Sequence, residues 1–594
     1  MSASTGRRGE PGGPRTSASD ERSVAMRTSP RLLAALLVIG LTMLGGTTAI
    51  APARAQDATQ IAGTAAVSGA VEAPRPFTAA QVHLMNVDKN VLFMVYTSGG
   101  RYRAVNLFPG RYEVTIRKPG FAAETKSLTL AAGSRETLNF SLRAEAAQPV
   151  QQGVFGFSSS IPGATLVSYD ELYPNGPGRD LVVKTCVNCH GKNFLPSRPY
   201  HESQWTHFVD LMLSPTAPRG AMIPAGTLST KDRETVIAYL AKNYGPNSGK
   251  RALKVDAAFP VDETVLARAM YIEYYLPLDQ QLDAANQQRR TQEPHFDPEG
   301  NVWYTDRSIP NRIGRVDPRT GDFKDFTMPD PRADPHGLTV DKAGHVFWAE
   351  TVGFHLGRLD PKTGSMIRYP MDSTGQSQGA RGHTPVVDSR ENVWFTVIGG
   401  DMLGKWDRKT EKARVWKVPT QGAAPYGITL DRDENVWFAE FRRGKIARFD
   451  PRTEKFTEYP ALTQPTTIRR LGVDSAGSVW YGGFSSGKLG KLDPTTGRIV
   501  EYDIPMPFAE PYDVWPDRND QIWISDGGQG GSLIRFDPKT EKFTYYPTPQ
   551  TTDQPKLAIT RDGAVWYTPR SSSKAAAGVL YPDVGKMTTF AAYY

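Results

Sequence analysis

Apolar and polar positions run in three successive rhythms along this 594-residue chain. Between residues 64 and 145, short alternating runs are separated by Gly and Pro turns: Val82-His83-Leu84-Met85, Leu92-Phe93-Met94-Val95-Tyr96 and Tyr112-Glu113-Val114-Thr115-Ile116. That rhythm predicts a small β-sandwich over 60–146. His83, on an alternating strand, reads as packed or exposed rather than as a ligand. Ala- and Gln-rich residues 145–152 read as a linker. Over 165–246 the spacing turns helical. Leu181-Val182-Val183 makes a short apolar face, and Val236-Ile237 with Tyr239-Leu240 makes a longer one. Ser229-Thr230-Lys231-Asp232 is a capping box with Asp in the usual Glu or Gln place, and Gly245-Pro246 stops the helix. A small all-α domain is expected there.

From residue 291 the alternation returns with a period. One aligned aromatic position recurs as Trp303, Phe347, Trp394, Trp437, Trp480, Trp523 and Trp566, at spacings of 44, 47, 43, 43, 43 and 43. Six positions upstream stand Asp297, Asp341, Asp388, Asp431, Asp474 and Asp517, with Thr560 in the last unit. Downstream turns carry Asp317, Asp360, Asp407, Asp450, Asp493 and Asp537. Four short strands per unit at this period predict a seven-bladed β-propeller over 291–594. Residues 586–593 are expected to supply the outer strand of blade 7, and 247–290 to be a connecting arm. The fold class is therefore multidomain and mainly β: sandwich, small all-α domain, then propeller.

Residues 1–55 change the charge and the address. Arg27 and Arg31 precede the thirteen-residue apolar stretch Leu32–Leu44, and Ala53-Arg54-Ala55 is an A-x-A cleavage pattern. The segment reads as a signal peptide, with Met26 better placed than Met1 as its start. Its stretch is shorter than the ~20 residues that span a bilayer, so no stable membrane span is expected after cleavage. A periplasmic or other cell-envelope location follows. Seven arginines against three carboxylates in 1–55 leave +4 of the formal +8 for the remainder. With no Lys/Arg run, this predicts no nucleic-acid partner.

The only two cysteines stand in Cys186-Val187-Asn188-Cys189-His190. A thioether-linked haem needs two thiols on one helical turn and an adjacent imidazole that reaches iron, and this string supplies both. The rivals are a redox dithiol and half a zinc site. Neither the βαβ pattern of the first nor the second ligand pair of the other is visible.

With Gly178 eight residues before Cys186 and a helix at 230–243, the segment resembles class I c-type cytochromes. The resemblance implies one covalent haem c, with His190 as proximal iron ligand. It places the distal ligand at Met222, in Gly220-Ala221-Met222-Ile223-Pro224. Met212 is the alternative, followed by His201, His207 or an open position. Gly100-Arg101-Tyr102-Arg103, Pro109-Gly110-Arg111-Tyr112 and Lys118-Pro119-Gly120-Phe121 resemble the carboxypeptidase regulatory-like domain, a module without chemistry of its own.

Two rings are predicted at the propeller mouth. Five residues before the repeated Asp come Gln292, His336, His383, Tyr426, Arg469 and Tyr512. Three after the repeated aromatic come Asp306, Glu350, Val397, Glu440, Gly483, Asp526 and Pro569. His336 and His383 are candidate catalytic groups, and Glu350, Glu440 and Asp334 candidate Mg²⁺ ligands. The bland alternative is that these carboxylates only hydrate the channel. The repeat, Gly-x-Val-Trp-Phe-Thr/Ala-Glu followed by Ile-x-Arg-Phe-Asp-Pro, resembles the virginiamycin B lyase family over 291–594. That family implies a seven-bladed propeller that opens a depsipeptide ring by Mg²⁺-dependent elimination. Its catalytic His and metal-binding Glu come from segments like Pro335-His336-Gly337 and Phe347-Trp348-Ala349-Glu350. Here Asp334 stands in place of the family's Glu, and His383 comes from the following blade rather than the preceding one.

Three functions follow. The first is an electron-transfer protein whose propeller binds a redox partner protein or small-molecule substrate. The second is a Mg²⁺-dependent carbon–oxygen lyase, and the third a non-catalytic sensor or scaffold. His295, His345 and His355 fall outside both rings and are expected to be structural.

Overall fold

The computed structural model describes residues 60–145, 163–214, 222–223, 225–254, 259–279, 289–375, 381–527, 531–550, 556–569 and 574–594. The signal pattern at 1–55 and most of the linker at 146–152 lie outside them.

Two sheets make the N-terminal sandwich. Ala65–Glu72 pairs with Arg101–Leu107, Arg135–Thr137 and Phe140–Ser141. Facing it, Gln81–Asn86 lies between Val91–Tyr96 and Gly110–Arg117, and Glu124–Leu130 forms the free edge. The inward positions, Val67, Val82, Leu84, Phe93, Val114 and Ile116, are fully buried. His83 is buried and its Nε2 lies 3.0 Å from Gln81 Oε1, a packed residue as its alternation implies.

Residues 163–254 are helical but not all-α. Helices Glu202–Leu213 and Thr230–Asn243 pack with the turns over 179–190. A parallel pair, Thr165–Val167 with Arg251–Leu253, joins the segment's ends. Ser229 and Asp232 cap each other reciprocally, at 3.1 Å in both directions. Gly178 has φ +95°, and a Cβ there would meet Thr235 O at 2.8 Å and Tyr239 Cβ at 2.9 Å. Only glycine lets the helical turn after it approach Thr230–Asn243 this closely.

Six four-stranded antiparallel sheets span 291–327, 335–370, 381–417, 425–460, 468–503 and 511–547. The repeat has a direct physical cause. Asp474 accepts from the indole of Trp480 at 2.8 Å and from the backbone N–H groups of Ala476 and Ser478 at 3.0 and 2.8 Å. Asp297, Asp388, Asp431 and Asp517 take the same indole bond six residues on, at 2.8–3.1 Å. Where Phe347 has no N–H to give, Asp341 binds His345 Nδ1 and Arg408 instead. Where Thr560 replaces Asp, the buried Trp566 Nε1 has no partner among the described residues.

Closure differs from the expectation. Leu557–Ile559, Val565–Tyr567 and Ala576–Tyr581 form three strands of blade 7, and Met270–Tyr275 is the fourth, not 586–593. Residues 247–290 are thus more than an arm. Met270–Tyr274 is buried throughout, so its backbone needs a partner on each edge. It finds Ala576–Tyr581 on one side and Val91–Tyr96 of the sandwich on the other. The C-terminal residues instead serve as packing. Met587, Phe590 and Ala592 are buried, with the Phe590 ring 4.9 Å from that of Phe108.

Asp474→Ala is expected to lower stability by about 3 kcal/mol, because it strands an indole N–H and two backbone N–H groups. A shift in the urea midpoint measures it, and a loss under ~0.5 kcal/mol would contradict the assigned role.

Candidate functional site

The innermost strands of blades 1–6 share a register shift just before the repeated Asp, and blade 3 carries a second at Arg381/Gly382. A bulge sets two successive residues against one partner residue, so two neighbouring positions per blade reach the axis. Contacts between non-adjacent blades mark those positions.

The first axial set is largely the predicted ring. The His336 and His383 rings lie 3.7 Å apart, and His383 lies 3.6 Å from Tyr426. Tyr426 and Tyr512 share a 2.7 Å hydroxyl hydrogen bond across the mouth. Arg469 donates to Tyr426 Oη at 3.1 Å, with its guanidinium 4.1–5.6 Å from the rings of Phe484, Phe441, Tyr512 and Tyr426. Burial, with Lys556 and Arg470 nearby, holds His383 well below the usual histidine range. Its Nε2 has no hydrogen-bond partner among the described residues.

A second axial set was not anticipated. Arg470 pairs with Glu293 at 2.6 Å and Asp513 at 3.1 Å. Lys556 pairs with Glu293 and approaches His336 Nδ1 at 3.2 Å. Burial pushes Lys556 down to about 7. Burial opposes ionisation of Glu293, but Arg470 and Lys556 hold it down to about 2. The signal was available one residue along: four before the repeated position stand Glu293, Gly337, Thr384, Gly427, Arg470, Asp513 and Lys556.

The carboxylates expected to bind Mg²⁺ lie among the following groups. Glu350 is fully buried and held by Arg368 of its blade's outermost strand, at 2.6 Å, and by the Trp348 indole. Asp334 forms a two-point pair with Arg307, both contacts at 2.6 Å. Glu440 lies beside Glu458, which Lys445 and Thr420 bind. Asp306 is held by Arg289 and Arg312. A buried carboxylate needs a nearby cation or donor, and Glu350, Asp334 and Asp306 each find one in an arginine. Among the described residues, no three His, Cys, Asp or Glu side chains converge as a metal cluster would. Of the remaining histidines, His345 binds Asp341 and His355 binds the Gly353 carbonyl.

The Cys186–His190 turn rests on the propeller mouth. Arg469 donates to the Cys189 carbonyl at 2.7 Å and Thr467 to the Asn188 carbonyl at 3.1 Å. Lys192 pairs with Glu510 at 2.7 Å. Cys189 packs against the apolar group that includes Tyr426, Phe441, Phe484 and Tyr512. Both cysteines are free thiols, and burial pushes Cys186 up to about 12, unlike a reactive dithiol. The His190 ring stacks on Phe194 at 4.1 Å, and Arg198 covers Phe194 at 3.7 Å. Met222 and Ile223 donate backbone N–H groups to the Met212 carbonyl at 2.7 and 2.8 Å, while Met222 Sδ accepts from Arg442 at 3.5 Å. His201 and His207 are exposed on the helix of Met212. Two unpaired thiols one turn apart, an adjoining imidazole and a nearby thioether are a donor set that fits haem c.

Comparison with known proteins agrees with the two β modules. The virginiamycin B lyase family model matches residues 280–535, and the carboxypeptidase regulatory-like domain model matches 66–143. A streptogramin B lyase structure is 24% identical, covering 53% of this chain and 97% of its own at TM-score 0.46. A virginiamycin B lyase from Staphylococcus aureus is 21% identical, covering 52% and 99% at TM-score 0.45. The extracellular domain of a two component system from B. thetaiotaomicron is 16% identical, covering 53% and 45% at TM-score 0.41. No curated protein matches the chain. The C-terminal region is a virginiamycin B lyase-like propeller.

Burial and then Glu458 push Glu440 up to about 8. Its folded pKa thus exceeds its unfolded one, so its contribution to stability is complete below about 4.5 and is lost as pH rises towards about 8. Glu440→Gln is expected to flatten the fall in melting temperature across that window. An unchanged slope would contradict a protonated Glu440.

Proposed function

We propose that this chain is an exported mono-haem electron-transfer protein, with haem c on Cys186, Cys189 and His190 and a redox partner or small substrate bound at the propeller. The observation that carries this reading is the bond from Arg469, an axial propeller residue, to the Cys189 carbonyl. It sets the attachment turn directly against the ring of His383, Tyr426 and Tyr512. Export fits the signal pattern at 27–55.

The haem, when bound, supplies one-electron chemistry at iron. The protein's own groups do the rest. Gly178 lets the helical turn after it seat against Thr230–Asn243. Phe194 fixes the plane of the His190 ring. Met222 would offer its thioether to the haem, with its backbone tied to Met212 and its sulfur beside Arg442. If His190 and Met222 both held the group, it would supply electron transfer rather than oxygen chemistry. Arg469 and the buried Tyr426 and Tyr512 pack between the turn and the propeller axis.

A divalent-cation-dependent lyase is the second reading, supported by the family match over 280–535 and by the buried Nε2 of His383, placed to accept a proton. Against it, Glu350 already holds Arg368. A calorimetric titration with Mg²⁺ separates the two. No heat at the funnel rules out the lyase, whereas Mg²⁺-dependent elimination lost in both Glu350→Ala and His336→Ala establishes it.

For the haem reading, the purified exported protein is expected to keep haem through denaturing electrophoresis, and the double variant Cys186→Ala/Cys189→Ala to lose it. Met222→Ala should keep the haem but lose the weak far-red sulfur-to-iron band. Survival of that band would move the distal ligand to Met212.

A further inference from the structure

We infer that the haem pocket is completed by the propeller, with Arg442 as a positioning residue that pairs with a haem carboxylate and holds the Met222 side of the pocket in place. This rests on the haem reading above. Arg442 follows the second strand of blade 4, Val436–Glu440, and belongs to a different module from the attachment turn. Its backbone is fixed: Phe441 and Arg442 donate to the carbonyls of Ala424 and Ala423 at 3.3 and 3.2 Å. The side chain is largely buried and reaches two haem-site groups. Its Nη2 lies 3.5 Å from Met222 Sδ, and its charge acts on the Cys189 thiol.

Asp401 already acts on the Arg442 charge, and the planar fork of a guanidinium can take a further anion in two-point geometry. Haem c carries two carboxylates on its rim, and guanidinium groups bind carboxylates through paired N–H donors. Arg469 and Arg198 add positive charge around the same turn, both acting on His190. The pocket is therefore arginine-lined from the propeller side as well as from the helical segment. A nearby cation disfavours an oxidised, more positive state, so Arg442 would raise the midpoint potential.

The test uses full-length exported holoprotein. Wild type, Arg442→Gln, Arg442→Lys and the exposed neighbour Arg443→Gln are compared by denaturing haem stain, far-red absorbance and redox titration. The expected result is covalent haem in all four, with a lower midpoint and a weakened far-red band in Arg442→Gln. Arg442→Lys should restore the midpoint but not the band, and Arg443→Gln should match wild type. If Arg442→Gln does not fold, Arg442→Lys decides: a weakened band supports the inference and a wild-type band overturns it. Wild-type midpoint and band in a haem-loaded Arg442→Gln also overturn it. Absence of covalent haem from wild type overturns instead the reading on which it rests.

Discussion

One strand with two partners sets the rest of the architecture. Met270–Tyr275 closes blade 7 through Ala576–Tyr581 and at the same time edges the sandwich through Val91–Tyr96. The result is a continuous eight-stranded sheet that runs from the propeller's inner strand Leu557–Ile559 to the sandwich edge Glu124–Leu130. A propeller needs ring closure to remove its last free edge. Here closure also fixes where the preceding chain must lie. Residues 163–254 precede that strand and are held at the mouth by Arg469, Thr467 and Glu510.

The blades below repeat one polar device. A carboxylate at the turn binds an indole six residues later, and burial of that pair sets the period seen in the sequence. Because the device is local, each blade is free to vary at the axis. The bulge in the inner strands of blades 1–6 then brings two variable positions to the centre. One gives the stacked His336, His383 and Tyr426, and the other the ion-pair network of Glu293, Arg470, Asp513 and Lys556.

Local signals were legible in the sequence, and long-range choices were not. The sandwich strands, the period, the capping box at Ser229 and the ring of His336 to Tyr512 all follow from spacing alone. The closing strand did not, because 586–593 and 270–275 carry similar apolar patterns, and only burial on both faces separates them. The pairing of Glu350 is with Arg368, eighteen residues away on another strand, which spacing does not reveal. The charged axial set was missed because a bulge is invisible to a count that assumes strict alternation. For the Cys186–His190 turn, the sequence identifies the donor atoms, while the docking through Arg469 is a tertiary contact between residues 280 apart in sequence.

A spectroscopic redox titration of the purified exported protein, wild type against Arg469→Gln, tests the central claim that a haem sits on the propeller mouth. The account predicts one reversible one-electron transition per chain, with its midpoint lowered when the Arg469 cation is removed. A protein with no such transition, or with a midpoint indifferent to Arg469, would contradict it.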